Sequence, residues 1–215
     1  MKLSALSLLA IASAAFAAPV RVLLPADPSP AGAELTSSLK VNGVELTVTG
    51  GPPTPAQLAG TDVLVLFSTE PTPLPAEAGA AIAKFTQRGG GLIILGGGIG
   101  AGDWLKPLAG GTWSAGSRKF ANKLMFYPVT DVHPVTQNAS AFDIDDETGY
   151  DLDLDPRIKI LASAFTPKVT AKRIDPRSPE RLDRANVYDL QPQMWAFEGS
   201  DKHRAITLLQ ARADS

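Results

Sequence analysis

The chain has 215 residues, of which 44% are hydrophobic and 20% charged, a composition that suits one globular α/β domain with a sizeable core. A net charge of −2 provides no basic surface for nucleic acid, so no nucleic-acid partner is expected. The absence of cysteine excludes disulfides, thiolate catalysis and cysteine-ligated metals.

Residues 1–18 have the pattern of a secretory signal peptide. Lys2 is followed by a short apolar run and then by Ala15-Phe16-Ala17, an A-x-A cleavage pattern. The run is shorter than the roughly 20 residues of a membrane span. We therefore expect cleavage after Ala17 or Ala18, a single domain over 19–215, no membrane attachment of the mature chain, and a periplasmic or secreted location. A retained anchor is the alternative.

Strands and helices alternate through the first half of the chain. The apolar runs predict strands over 20–24, 44–48, 62–67 and 92–95, with helices over 31–40, 54–58 and 75–88 between them. In the last helix, Ala78, Ala81, Ile82 and Phe85 lie on one face, and Gly89 supplies a left-handed cap. Short links between the elements favour a parallel, doubly wound sheet.

A glycine-rich turn follows the strand at 92–95. Gly96, Gly97 and Gly98 form a tight strand-to-helix turn, and in an open α/β sheet ligands bind at the carboxyl end of such a strand. No Ser, Cys, His or Asp occurs between Leu92 and Ala101, so the turn predicts a ligand site without a nucleophile. Glycines that serve only the tight turn are the alternative.

The second half is rich in predicted strands and loops. Strands are expected over 123–130, 157–164, 193–197 and 204–209, and a short helix or turn over 103–108. A charged loop is expected over 167–184. His203 lies between Lys202 and Arg204, which predicts a solvated strand start.

Five motifs follow one another along the chain: Phe85 to Leu95, Asp103-Trp104 with Leu108 to Trp113, Val132 to Thr136, Phe142 to Tyr150, and Pro192 to Trp195. Their order and residues resemble those of the ThuA-like family, which is named for a trehalose-utilisation protein. The resemblance covers roughly residues 20–209. The resemblance implies an α/β, flavodoxin-like (class I glutamine-amidotransferase-like) fold, in which a central, mostly parallel sheet carries β-rich, loop-rich additions in the second half.

The resemblance also implies a role in carbohydrate utilisation, with a sugar or keto-sugar bound or processed at the carboxyl ends of the strands. Two family histidines are missing. Gly96 stands where the family has a histidine after the buried strand, and Gln210-Ala211 stands where it has Gly-His. These departures favour the alternative of a non-catalytic carbohydrate-binding or protein-interaction domain, so enzymatic activity is left open. The flavodoxin-like architecture alone would also suit a nucleotide or redox module.

The candidate polar residues come from two of these motifs. His133, in a His-Pro turn, could act as a base because an imidazole titrates near neutrality; a turn histidine bound to nearby backbone is the alternative. Asp146, Glu147 and Tyr150 match the family's acidic motif, in which carboxylates would accept hydroxyl hydrogen bonds and a ring would stack on a sugar.

The surrounding acidic run, 142–156, could bind calcium or be solvated loop charge. The EF-hand pattern fails because Thr148 stands where that pattern needs glycine. No metal and no cofactor are expected, and a homo-oligomer is left open. Of the three tryptophans, Trp104 and Trp195 are the predicted ligand contacts, although core packing is the alternative for each. The predicted site comprises His133 and Glu147 as catalytic residues and Gly96, Gly97, Gly98, Trp104, Asp146, Tyr150 and Trp195 as ligand-binding residues.

Overall fold

A computed structural model describes residues 18–127, 129, 133–167 and 188–210. Its first half alternates strand and helix as predicted. The strands are β1 (Val20–Pro25), β2 (Val44–Thr49), β3 (Val63–Ser68) and β4 (Gly91–Gly96); the helices are α1 (Pro30–Ser38), α2 (Pro55–Ala59) and α3 (Ala76–Gln87).

The helix ends follow the local sequence. Ser29 caps α1, because its side chain accepts a hydrogen bond from the Gly32 N–H. Thr54 and Gln57 form a capping box at α2. Gly89 has a φ of +95° directly after α3, which confirms the predicted left-handed cap.

The second half supplies mostly strands. A 3₁₀ turn at Gly97–Gly100 follows β4, and a second at Asp103–Leu105 leads into the short helix α4 (Lys106–Ala109). The strands are β5 (Gly111–Thr112), β6 (Arg118–Tyr127), β7 (Phe142–Tyr150), β8 (Asp153–Leu154), β9 (Lys159–Pro167), β10 (Tyr188–Glu198) and β11 (Arg204–Leu208).

The acidic run forms a strand over most of its length, rather than a loop. Its first nine residues form β7, which pairs with β6 in an antiparallel hairpin. Alternate residues of such a strand point to opposite faces, so Asp143 is exposed while Thr148 and Tyr150 are buried. Strand β6 also begins at Arg118, five residues before its predicted start. Most of the charged loop predicted over 167–184 lies outside the described residues.

The central sheet has seven strands in the order β2-β1-β3-β4-β11-β10-β9. Pairing is parallel from β2 through to β11, and β10 and β9 are added antiparallel. The first five strands have the flavodoxin order, with β11 as the fifth, which confirms the predicted fold class.

Hydrophobic clusters cover both faces of this sheet. One includes Ile82, Phe85 and Trp195, and the other includes Val22, Leu35 and Val65. The β6–β7 hairpin packs on β9, where Phe120 and Phe142 contact Ala164. Among the helices of the described ranges, none is both long and apolar enough to cross a bilayer.

Candidate functional site: a cleft at the carboxyl edge of the sheet

Three adjacent parallel strands end at one edge of the sheet. Ser68 of β3 pairs with Gly96 of β4, and Leu95 of β4 pairs with Leu208 of β11. The residues that follow these ends meet the β6–β7 hairpin in a cleft of about 450 Å³, a volume that includes the part open to solvent. The carboxyl edge is where open α/β sheets bind ligands. The lining residues are Thr69, Pro71, Gly96, Gly97, Ile99, Trp113, Lys119, Asp146, Glu147, Gly149 and Leu209.

Glycine is required along the floor of the cleft. Gly96 has φ 54° and ψ −126°, which residues with a side chain rarely adopt. A Cβ atom on Gly97 would lie 2.2 Å from the Glu70 carbonyl oxygen, and one on Gly98 would lie 2.4 Å from that of Leu66. The turn therefore packs directly on β3 and on the loop after it. In the related nucleophile elbow, the strained residue is the nucleophile; here it is a glycine.

The hairpin side of the cleft is charged. Lys119 of β6 places its ammonium 3.2 Å from the Glu147 carboxylate of β7 and 2.5 Å from the carboxylate of Glu70, which belongs to the loop after β3. The Lys119 and Glu147 side chains are 29% and 28% exposed, whereas Glu70 is 63% exposed. Asp146 accepts a hydrogen bond from the Glu147 N–H at 2.6 Å. The ion pairs of Lys119 with Glu147 and with Glu70 thus link the hairpin to the loop after β3.

Apolar groups also line the cleft. Trp113 lies next to Ile99, whose carbonyl oxygen accepts a hydrogen bond from the backbone N–H of Trp113 at 3.0 Å. Pro71 and Leu209 add aliphatic surface. The cleft therefore combines an indole and aliphatic groups with an ammonium and carboxylates.

A chain of buried amides lies behind the cleft. The Gln210 amide donates to Gln193 at 2.8 Å, and the Gln193 amide donates to the carbonyl oxygen of Gly149, a lining residue, at 2.7 Å. Gln210-Ala211 stands where the family resemblance places Gly-His, so Gln210 takes the glycine position. Its Oε1 is enclosed without a hydrogen-bond partner among the described residues. The chain of amides links β7 to the middle of β10 and to the residues just after β11.

Four of the predicted site residues come together in this cleft: Gly96, Gly97, Asp146 and Glu147. Gly98 lies at the same turn, packed on Leu66. The remaining four lie outside the lining, for different physical reasons.

Neither of the two predicted tryptophans lines the cleft: Trp195 is buried in the core, and Trp104 is half-buried beside it. Trp195 is 0% exposed, and its indole N–H donates to the Ala109 carbonyl oxygen at 2.8 Å. Trp104 packs against Gly79 of α3. Tyr150 is also buried, at the end of β7 opposite Arg118. The tryptophan in the cleft is Trp113, which directly follows β5.

His133 lies in a turn and not in the cleft lining. Its Nδ1 accepts a hydrogen bond from the Val135 N–H at 3.2 Å, as in the alternative of a turn histidine bound to backbone. Burial, and secondarily the charge of Lys159, lower the pKa of His133, which favours the neutral imidazole.

His203 is buried rather than solvated. It is 3% exposed, and its ring nitrogens contact the Asp201 carboxylate and, at 2.7 Å, the Leu108 carbonyl oxygen. The hydrogen bond from His203 lowers the pKa of Asp201. Because β11 begins at the next residue and ends at the cleft, His203 lies at the opposite edge of the sheet.

Sequence reasoning missed several lining residues. Thr69 and Leu209 could have been found, since each directly follows a strand that ends at the carboxyl edge. Lys119 had no sequence signal, because only the β6–β7 pairing brings it to Glu147. Within the described residues, no group of three or more His, Asp or Glu side chains is arranged to hold a metal ion.

The strand order and the cleft at the carboxyl edge define a flavodoxin-like α/β protein of the glutamine-amidotransferase-like class. The family model ThuA, described as trehalose utilisation, matches residues 24–206, and the chain belongs to this family. Membership gives the protein a role in carbohydrate utilisation in the broad sense.

Solved structures agree on the fold. A putative ThuA-like protein from Bacteroides uniformis has a TM-score of 0.63 at 17% identity, with 93% of this chain and 85% of that chain covered. One from Parabacteroides merdae has a TM-score of 0.62 at 12% identity, with 89% and 79% covered. A putative GMP synthase component from Thermoplasma acidophilum has a TM-score of 0.52 at 11% identity, with 90% and 84% covered. No curated protein matches the sequence.

Proposed function

We propose that the protein is an exported carbohydrate-utilisation protein that binds a sugar in the cleft at the carboxyl edge of the sheet. The observation that carries this proposal is that Trp113 shares one cleft with Lys119, Asp146 and Glu147. A sugar presents apolar C–H faces and hydroxyl edges. An indole packs on the first, and carboxylates and an ammonium hydrogen-bond the second.

Export is the part of the proposal that rests on residues 1–18. Their charged start, apolar run and A-x-A pattern support cleavage and transfer out of the cytoplasm. Fractionation of cells that produce the full chain tests this, with N-terminal sequencing of the product. A protein that keeps Met1 and stays in the cytoplasm would contradict it.

Sugar binding is tested by calorimetric titration of the mature chain with a panel of monosaccharides, disaccharides and keto-sugars. Glu147→Gln and Trp113→Ala should each weaken binding about tenfold, since each removes one of the two kinds of contact. Glu198→Gln is the matched control, because Glu198 is an exposed glutamate of β10 outside the cleft lining. Equal affinities for wild type, Glu147→Gln and Trp113→Ala would contradict the proposal.

Processing of the bound sugar is a second candidate function. It is favoured by Glu147, a partly buried carboxylate held 3.2 Å from the Lys119 ammonium, which is suited to proton transfer. The glycine at position 96 argues against a covalent route through this turn. Product analysis after incubation with each bound sugar separates the two functions. Turnover that Glu147→Gln abolishes would establish processing, whereas binding without turnover would leave only the binding function.

A further inference from the structure

The Glu70 carboxylate lies beside the ammonium of Lys119, a lining residue of the cleft, at a position where the carboxylate of a ligand could also bind. The distance between the two groups is 2.5 Å, but the Glu70 side chain is 63% exposed. It comes from the loop after β3, between the lining residues Thr69 and Pro71, and so reaches Lys119 from the sheet side. Lys119 therefore holds one carboxylate of the hairpin, Glu147, and one of the loop.

These two carboxylates are held unequally. Glu147 is paired within the hairpin and its side chain is only 28% exposed, so it stays beside Lys119. The pair between Lys119 and Glu70 joins two separate elements through a mostly solvated side chain. Exposed pairs of that kind contribute little to stability, and the carboxylate can move into water at small cost.

The backbone of Glu70 is fixed, which confines this movement to its side chain. The Glu70 carbonyl oxygen accepts hydrogen bonds from the hydroxyls of Ser68 at 2.7 Å and Thr72 at 2.9 Å. The same peptide packs on Gly97. The loop thus keeps its shape when the carboxylate leaves Lys119.

We infer that the cleft takes a sugar acid, whose carboxylate replaces that of Glu70 on Lys119. One carboxylate leaves as another enters, so the charge next to Lys119, Asp146 and Glu147 is unchanged. A neutral sugar that took the place of the Glu70 carboxylate would leave the Lys119 ammonium with only one carboxylate partner, Glu147. This inference rests on the proposed function and names the ligand class of the same cleft.

The test compares D-glucuronate with D-glucose, which differ only in the carboxylate at C6. In the wild type, D-glucuronate should bind at least about tenfold more tightly, the effect of one charge-assisted hydrogen bond. Glu70→Gln should tighten D-glucuronate by up to about fivefold, because it removes the competing carboxylate. Lys119→Met should abolish the preference, and Lys119→Arg should keep most of it.

Lys106→Met is the matched control. Lys106 pairs with Asp153 at 2.6 Å with similar exposure, but outside the cleft lining, so this variant should bind D-glucuronate as the wild type does. Thermal unfolding of each variant confirms that it is folded. Glu70→Gln should raise the affinity for D-glucuronate and Lys119→Met should lower it. These opposite effects distinguish competition by Glu70 from a general loss of structure, which would lower the affinity in both variants.

Three results would overturn the inference. Equal affinity of the wild type for D-glucose and D-glucuronate would be consistent with the proposed sugar binding but would contradict the preference for a sugar acid. Weaker D-glucuronate binding in Glu70→Gln would show that Glu70 supports the ligand rather than competes with it. Failure of every sugar to bind would overturn the proposed function together with this inference.

Discussion

A Cβ atom on Gly97 would lie 2.2 Å from the carbonyl oxygen of Glu70, so the floor of the cleft and the loop that carries its competing carboxylate are in direct backbone contact. A real Cβ atom never comes so close to a backbone oxygen. Glycine at this position thus sets both the depth of the cleft and the place from which Glu70 reaches Lys119.

Gly97→Ala should destabilise the protein by about 1–3 kcal/mol, because the new methyl group must displace the Glu70 peptide. Urea unfolding measures this loss. Gly60→Ala is the control, since a Cβ atom on Gly60 meets nothing within 4 Å. Equal losses for the two variants would contradict the close packing of Gly97 on the loop.

Trp195→Phe should lower stability by about 1–3 kcal/mol and leave sugar binding unchanged. Phenylalanine has no N–H, so the carbonyl oxygen of Ala109 would lose its indole donor in a closed interior. Chemical unfolding and calorimetric titration of the same sample measure the two effects. Weaker sugar binding at unchanged stability would instead place Trp195 in the ligand site.

Gln193→Leu should lower the free energy of unfolding by about 1–3 kcal/mol for each of the two buried polar groups that lose their hydrogen-bond partner. These are the carbonyl oxygen of Gly149 and the amide of Gln210, both of which hydrogen-bond Gln193. Because Gly149 lines the cleft, we expect weaker ligand binding as well. A variant as stable as the wild type would show that the amide chain does not fix the cleft wall.

Acidification below pH 4 should reduce the free energy of unfolding. Asp155 hydrogen-bonds Arg157, which lowers the pKa of Asp155 from 3.8 to about 2. Arg21 likewise lowers the pKa of Asp62. A carboxylate with a lowered native pKa adds stability above its unfolded pKa and loses it as the pH falls through the native value.

In the Asp155→Asn variant, the free energy of unfolding should decrease less steeply between pH 4 and pH 2 than in the wild type. In the wild type the Arg157 guanidinium lies over the Phe197 ring, 5.1 Å from the ring centroid. We expect asparagine, which has nearly the size of aspartate, to leave this packing in place. Unfolding midpoints in urea at several pH values measure the slope. The same slope in variant and wild type would contradict the assigned role of Asp155.

The regular first half could be predicted from sequence because local pattern decides it. Ile82 and Phe85 lie on one face of α3 and are buried, and Gly89 ends the helix. The same logic located the cleft, since Gly96 ends a buried central strand. Strand β7 was harder to predict, because a run of acidic residues is typical of a loop. These residues fit a strand only because β7 pairs with β6 and one face of the hairpin is open to solvent.

Which residues line the cleft depends on contacts between segments that are far apart in the sequence, and local sequence patterns do not predict such contacts. Lys119 meets Glu147 only through the hairpin, and it meets Glu70 only because that hairpin stands over the sheet edge. The choice among the tryptophans failed for the same reason. Trp113 and Trp195 are equally apolar in sequence, and only the packing of β5 and β10 separates a cleft residue from a core residue.

The indole N–H signals of the three tryptophans test most directly whether the cleft is the ligand site. Each reports on a different place: Trp113 on the cleft, Trp104 on the contact with α3, and Trp195 on the core. In a ¹H–¹⁵N spectrum of the mature chain titrated with D-glucuronate, we expect a progressive shift of the Trp113 signal while the other two stay in place. A shift of the Trp104 or Trp195 signal with Trp113 unchanged would contradict binding in the cleft.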